Sequence, residues 1–251
     1  VSLLEVEDIG VKFGGVVALD GLTFRIEAGQ ICALIGPNGA GKTTLFNVVS
    51  RLYEPTSGSI RFNGTDLLRL PAHQIARSGI ARTFQNLALV PGLSVLDNVL
   101  IGSHSTTQGG FVASALGFRP GRSATVGTAM ELLDRFGLAH LAERPCSGLP
   151  YGTLKRLEIV RALMSKPRLL MLDEPAAGLT HGEVAELGSM ITSLRDDFDL
   201  SVLLVEHHMA LVMSISDAVV VMEFGVKIAE GNPEEVQANP AVIEAYLGGV
   251  A

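Results

Sequence analysis

Short apolar runs punctuate this chain, and their patterning predicts its elements. Ile31-Cys32-Ala33-Leu34-Ile35, Leu169-Leu170-Met171-Leu172-Asp173, Val202-Leu203-Leu204-Val205-Glu206 and Ala218-Val219-Val220-Val221-Met222 run without polar alternation. Uninterrupted runs of this length fit strands buried on both faces, as in a parallel sheet. Leu3-Leu4-Glu5-Val6-Glu7 and Leu22-Thr23-Phe24-Arg25-Ile26 alternate in part, with turn residues between them. Ser59-Ile60-Arg61-Phe62 alternates into an Asn63-Gly64 turn. The start of the chain therefore predicts antiparallel β structure. Ile80-Ala81-Arg82-Thr83-Phe84 is a further candidate strand. Residues 44–49 and 182–194 read as helices, and the tail 233–247 as short helical structure. Residues 86–165 carry a mostly helical pattern without a convincing strand, which predicts an inserted helical subdomain. Within it, 103–127 is rich in Gly, Ser and Thr and reads as a long loop or insertion. No internal repeat interrupts this order.

Composition sharpens the picture. A chain of 251 residues holds one large α/β domain or two small ones, and 47% hydrophobic residues supply a sizeable core. Charged residues, at 18%, fall below the usual quarter, which suggests a surface partly covered by a partner. The net charge of −7 argues against nucleic acid as the main ligand. Cys32 and Cys146 form no metal-binding spacing, and Cys32 falls in an apolar run, as a structural thiol would. No stretch approaches the roughly 18 uncharged apolar residues of a membrane span, and no leader pattern opens the sequence. The expectation is a cytosolic chain that acts at a membrane only through another polypeptide.

The chemistry begins at Gly36-Pro37-Asn38-Gly39-Ala40-Gly41-Lys42-Thr43, which fits the phosphate-loop pattern GxxxxGK[ST]. The loop follows an apolar strand and, with Thr44, opens a helix. Its glycines let backbone N–H groups turn around an anion, and the helix N-terminus adds roughly half a positive charge. Lys42 is placed to reach β- and γ-phosphates, and the Thr43 hydroxyl to hold Mg²⁺. Asp173 closes a second apolar run, at the strand end where open α/β sheets bind ligands. It is a candidate Mg²⁺ ligand opposite Thr43, and the adjacent Glu174 a candidate for positioning the attacking water. Pro175 then ends the strand.

Taken together, these motifs resemble the nucleotide-binding subunit of an ABC transporter, most strongly the ATPases of bacterial branched-chain amino acid importers. The resemblance covers essentially the whole chain in family order. It implies ATP and Mg²⁺ as cofactors and a P-loop ATPase fold. That fold has a mainly parallel sheet core, an N-terminal antiparallel β subdomain and an inserted helical subdomain. One nucleotide-binding domain then spans 1–251, with a catalytic core at 1–85 and 166–251 and the helical subdomain at 86–165. By the same resemblance Phe13 stacks on adenine, although core packing fits it as well. Gln85 matches the glutamine loop, which touches Mg²⁺ and the membrane partner. Ala177-Gly178-Leu179-Thr180 falls at the loop crossing the dimer interface. His207 matches the histidine that contacts the γ-phosphate, and the neighbouring His208 takes no role.

Leu149-Pro150-Tyr151-Gly152-Thr153 sits at the family's signature segment. Residues 151–165 read as a helix with Leu154, Leu157, Val160, Leu163 and Met164 near one face and Lys155, Arg156 and Arg161 on the others. Its N-terminus, with the Tyr151 and Gly152 amides, suits a γ-phosphate held by a second subunit. Pro150 stands in place of the usual serine and Thr153 in place of glutamine, which predicts low activity for the isolated chain. Thr180 stands in place of the interface loop's aspartate.

The resemblance implies a dimer of ATPase chains, homodimeric or paired with a paralogue. It implies two membrane permease subunits, a binding protein that delivers solute outside the cell, and a peripheral place on the cytoplasmic face of the membrane. Leu87, Leu89, Val90, Leu93 and Val95 are candidates for the permease groove. The aromatics and arginines of 109–122 are a second candidate surface or a plain mobile loop. An exporter ATPase of the lipopolysaccharide-extraction type and a soluble non-transport ABC ATPase are the competing readings. The soluble ATPases of this resemblance usually carry two nucleotide domains or a long coiled-coil insert; this sequence shows neither, and its acidic balance disfavours nucleic acid.

Overall fold

The structure is a computed structural model describing residues 2–84, 87–105 and 122–247. In chain order the strands are β1 Ser2–Phe13, β2 Val16–Glu27, β3 Ile31–Ile35, β4 Ser57–Phe62 and β5 Thr65–Asp66. They continue with β6 Ile80–Arg82, β7 Leu169–Asp173, β8 Ser201–Val205, β9 Ala218–Glu223 and β10 Val226–Gly231. The chain separates into two compact units, Val1–Ile75 with Arg168–Ala251, and Ala76–Pro167.

The larger unit carries the apolar runs as a sheet in the order β10-β9-β3-β8-β7. β3 pairs in parallel with β8 and β9, and β7 pairs in parallel with β8. Every residue of β3, β7 and β8 is buried, which is why these runs show no alternation. β10, antiparallel on β9, has no counterpart in the sequence reading. Its Val-Lys-Ile-Ala-Glu-Gly sequence lies half in solvent and lacks the apolar density that marks the others.

The second sheet of this unit runs β2-β1-β4-β5, all antiparallel. Its first two strands are longer than the alternating runs suggest. The register between β1 and β2 shifts between Val6 and Ile9, where Asp8 takes φ 52°, so the alternation breaks while the pairing continues. Asn63 and Gly64 both take positive φ, 49° and 75°, and close the β4–β5 hairpin. The tail forms two helices, Pro233–Gln237 and Pro240–Leu247. Val236 and Val242 from them pack with Ala33, Ile35, Val212, Val219 and Val221.

The smaller unit holds β6 and the helices Val95–Ile101, Arg122–Arg135 and Tyr151–Leu163. The first of these packs on the other two. Asn98, wholly buried, pins the preceding turn. Its Oδ1 accepts from Val90 N–H at 2.8 Å, and its amide donates to the Val90 and Ser94 carbonyls at 3.0 Å each. The helix Tyr151–Leu163 differs from its sequence reading in one respect. Lys155 is not on an outer face but only 3% exposed, with its ammonium 5.6 Å from the centre of the Tyr151 ring. Leu154 is correspondingly half-buried. A cation over an aromatic face, with its aliphatic stem in the core, accounts for a buried lysine that hydrophobic periodicity does not register.

Candidate active site

Parallel register builds the site. Leu34 lies beside Val205 and Val205 beside Asp173, so β3, β8 and β7 end at one level. Three chemistry-bearing segments leave that edge together: the glycine loop from β3, Glu206-His207 from β8, and Asp173-Glu174 from β7. This is the ligand edge of an open α/β sheet.

The loop's glycines answer to geometry. Gly36 has φ 151°, and a Cβ there would collide with the Met222 carbonyl oxygen. Gly41 has φ 100°, caps the helix Lys42–Val49, and leaves only 2.6 Å between a Cβ and the Ala18 carbonyl oxygen. Side chains are therefore excluded at both ends of the loop, which leaves its backbone close to anything bound there. Asn38, Gly39 and Thr43 are exposed. The buried Lys42 ammonium donates to the Gly36 and Pro37 carbonyls at 2.7 and 2.9 Å. Burial lowers its pKa, and the Glu174 and Asp173 carboxylates pull it back up. Those opposing influences place the amine within the field of both acids. The Tyr246 phenol, pushed up to about 12 by burial, shares a hydrogen bond with the Gly36 backbone. The tail helix thus reaches the loop, a contact for which the sequence offers no signal.

Asp173 is buried at the end of β7. Glu174 follows in the left-handed region, φ 48°, with its N–H donating to the Val205 carbonyl at 2.9 Å. A non-glycine residue held there costs roughly 1–2 kcal/mol, and such strain concentrates at functional sites. Glu206 is a further residue of the site. Wholly buried, it accepts Ala176 N–H on Oε1 at 2.7 Å, and His207 and His208 N–H on Oε2 at 3.0 and 3.1 Å. Its sequence signal is an acid closing an apolar run, the same signal that marks Asp173. The His207 ring is exposed, with Nδ1 3.9 Å from Glu206 Oε2. His208 caps the helix Met209–Ile215, with its ring edge-on to His181.

Phe13, at the end of β1, is 47% exposed, and its ring meets Tyr53 edge-on at 5.1 Å. It is a surface aromatic rather than core. Gln85 lies outside the described residues, as do most of the candidate residues in 109–122. The segment flanking Gln85 is held by the signature helix of the same unit. Phe84 and Ala88 N–H each donate to Glu158 Oε1 at 3.4 Å, and Arg161 donates to the Ala88 carbonyl at 2.5 Å. Burial raises the Glu158 pKa, against the Ala88 and Phe84 amides and the Arg161 and Lys155 charges. Tyr151 and Gly152 form the first turn of that helix, after Pro150 at the N-cap. First-turn N–H groups have no acceptor within their own helix. Val95 is core, at 1% exposure, whereas Val90 and Leu93 are exposed, at 43% and 37%.

The donor set suits Mg²⁺. An exposed hydroxyl at Thr43 and a carboxylate at Asp173 are hard oxygen ligands. Among the described residues no group of three or more His, Cys, Asp or Glu forms a protein-only metal cage, and Mg²⁺ is commonly held by one or two carboxylates with substrate phosphates.

Comparison with known proteins agrees with this geometry. The ABC transporter family model matches residues 19–177, and a model for branched-chain amino acid ATP-binding cassette transporters matches 226–251. The chain is 43% identical over 249 residues to the high-affinity branched-chain amino acid transport ATP-binding protein BraF of Pseudomonas aeruginosa, covering 98% of each. It is equally 43% identical, over 98% of each chain, to LivG of Escherichia coli, which bears the same description. Two solved structures share the fold across 99% of this chain at 31% identity. One is a nucleotide-free ATP-binding cassette from an ABC transporter, with a TM-score of 0.87 and all of that chain covered. The other is such a cassette in its ADP conformation, with a TM-score of 0.88 and 99% of that chain covered.

Proposed function

This chain belongs to the ABC transporter ATP-binding family and is an ABC-type ATPase, and on that premise we propose that it powers an importer of branched-chain or related hydrophobic amino acids. The supporting observation is the common edge of β3, β8 and β7, which gathers Lys42, Asp173, Glu174 and His207. The relatives named for branched-chain amino acid transport support the cargo.

In this reading Gly36 to Thr43, with Thr44, cradles the phosphates of ATP through backbone N–H groups. Lys42 leaves its loop carbonyls for the β- and γ-phosphates, and the adenine rests on Phe13. Thr43, Asp173 and Gln85 hold Mg²⁺, which when bound neutralises charge on the phosphate oxygens. Glu174 orients a water and accepts its proton as the water oxygen bonds to the γ-phosphorus. The bond to the β–γ bridging oxygen breaks, leaving ADP and phosphate. His207 contacts the γ-phosphate. Tyr151 and Gly152 of a second ATPase chain, a copy or a paralogue, close the site from across the dimer. No helix among the described residues is long and apolar enough to cross a membrane. In this reading the chain works peripherally, on the cytoplasmic face, through two permease subunits supplied by a binding protein. Phe84, Val90 and Leu93 offer apolar surface for that docking.

Glu174→Gln keeps the side-chain shape and removes the base. We expect hydrolysis to fall about 10²–10⁴-fold while Mg-ATP binding persists and, in sedimentation, drives dimers. Undiminished hydrolysis removes Glu174 from the mechanism.

A further inference from the structure

We propose that Glu206 is a positioning residue that fastens the interface loop to the γ-phosphate-sensing loop, so that the two respond as one body to ATP. Glu206 leaves β8 between the ends of β3 and β7, with no exposure to solvent. One carboxylate oxygen takes the N–H of Ala176, thirty residues away and at the head of the segment that runs on through Ala177 to Thr180. The other takes the N–H groups of His207 and His208. A carboxylate is planar and accepts only, so the separation of the two loops is set by one rigid group. On its β7 side the same junction is tied by the Glu174 N–H to the Val205 carbonyl. The catalytic acid is thus tied to β8 through its backbone, and the interface loop and the histidine through the Glu206 carboxylate.

The consequence is reciprocal, as any coupling between sites is. A γ-phosphate that fixes His207 also fixes Ala176 and the interface loop beyond it. A second subunit pressing on Ala177 to Thr180 in turn aligns His207. This coupling rests on the roles proposed above for His207 and for the interface loop; the bridge itself does not.

Glu206→Gln breaks the bridge without changing volume. Its amide has one acceptor and one donor arm, so the NH₂ faces either Ala176 N–H or the two histidine N–H groups, donor against donor. Glu206→Asp keeps the charge and loses a methylene of reach, so it shortens the span. Both variants are to be measured in the full chain, after thermal denaturation has shown them folded, by amide hydrogen exchange without nucleotide. Binding of Mg-ADP and Mg-ATP in the Glu174→Gln background comes next, then hydrolysis with and without His207→Ala.

We expect exchange to quicken together at 176–180 and 207–208. Mg-ADP affinity stays near that of wild type, while the advantage of Mg-ATP and the ATP-driven dimer fall by about tenfold, a usual scale for coupling between sites. In hydrolysis kcat falls more than KM rises, and Glu206→Gln adds little once His207 is gone. Glu206→Asp shows the same selective defect at smaller size. Faster exchange in only one loop overturns the bridge. Equal losses for ADP and ATP, or full additivity with His207→Ala, overturn the coupling and leave Glu206 a structural residue. If His207→Ala hydrolyses normally, the proposed site reading fails, and the exchange result still decides the bridge.

Discussion

Lys42 shows how much of the site a local pattern determines. Every demand on the glycine loop lies within a few residues: tight backbone at Gly36 and Gly41, a helix start, and an amine on the first residue of that helix. Such demands are legible in sequence because residue type and spacing meet them directly. Glu206 and Glu158 were not legible in their roles, since Glu206 joins its neighbouring amides to one 30 residues away and Glu158 is satisfied by amides about 70 residues away. The left-handed backbone at Glu174 is likewise a product of strand packing. The same electrostatics yields a test at Lys42. Burial holds its pKa below the ordinary value, so burying the charged amine costs stability that its two carbonyl hydrogen bonds offset. A group with a lowered folded pKa contributes its stability in full above its unfolded value, and that contribution is lost as pH falls through the folded one. Lys42→Met should therefore melt, without nucleotide at pH 7, close to the wild-type temperature. Mg-ATP at about a hundred times Kd stabilises a binding-competent chain by roughly 2.7 kcal/mol, several degrees of Tm for this size. Thermal denaturation with and without Mg-ATP should show that shift in the wild type and not in Lys42→Met.

Helix starts carry the next level of argument. Thr180, at the position where the resemblance implies an acid, caps the helix His181–Phe198 in a reciprocal box with Glu183. A threonine there ends the interface loop and begins the helix, a capping role that an aspartate would fill as well. Pro150 is the opposite case. It stands at the N-cap of Tyr151–Leu163 with no side-chain hydrogen bond, only its carbonyl accepting Leu154 N–H at 3.1 Å. A serine at this place supplies a hydroxyl to the first turn, and a cap of that kind is worth about 0.5–2 kcal/mol. Facing a γ-phosphate it also supplies a charge-assisted hydrogen bond of roughly 1.5–3 kcal/mol. Pro150→Ser is expected to raise both the stability of the chain and, by about tenfold, the ATPase rate of the isolated protein. An unchanged steady-state rate would mean that this helix end does not meet the phosphate. At this scale the sequence spoke clearly wherever a run was apolar but for at most one end residue, as in β3, β7 and β8. It was silent for β10, whose half-exposed edge position leaves no pattern.

For the whole molecule the question is how a chain without a membrane-crossing helix among its described residues passes work to one that crosses. The low charge content suggested covered surface, but five apolar residues of 87–95 looked alike in sequence. Burial separates them. Val95 belongs to the core of the smaller unit, Leu87 and Leu89 are half-buried, and Val90 and Leu93 stand in solvent. Periodicity had no means to make that division in a turn held by backbone contacts and by Asn98 rather than by a helix face. The turn itself does not depend on the Leu93 side chain. Leu93 N–H donates to the Val90 carbonyl at 3.1 Å, and the Leu93 carbonyl accepts Cys146 N–H at 3.1 Å. Leu93→Asp should therefore keep the backbone pairing of the turn, at a cost of roughly 0.5–3 kcal/mol for the covered part of a side chain that is 37% exposed. It places a carboxylate where the proposed permease contact is apolar, and an unpaired charge buried at an interface is costly. The variant is expected to unfold cooperatively at a somewhat lower temperature, stay folded under the assay, and be lost from membranes that carry the permease subunits. Loss of transport should accompany that release. Retention of Leu93→Asp on those membranes, with transport unimpaired, would move the docking surface elsewhere on the chain.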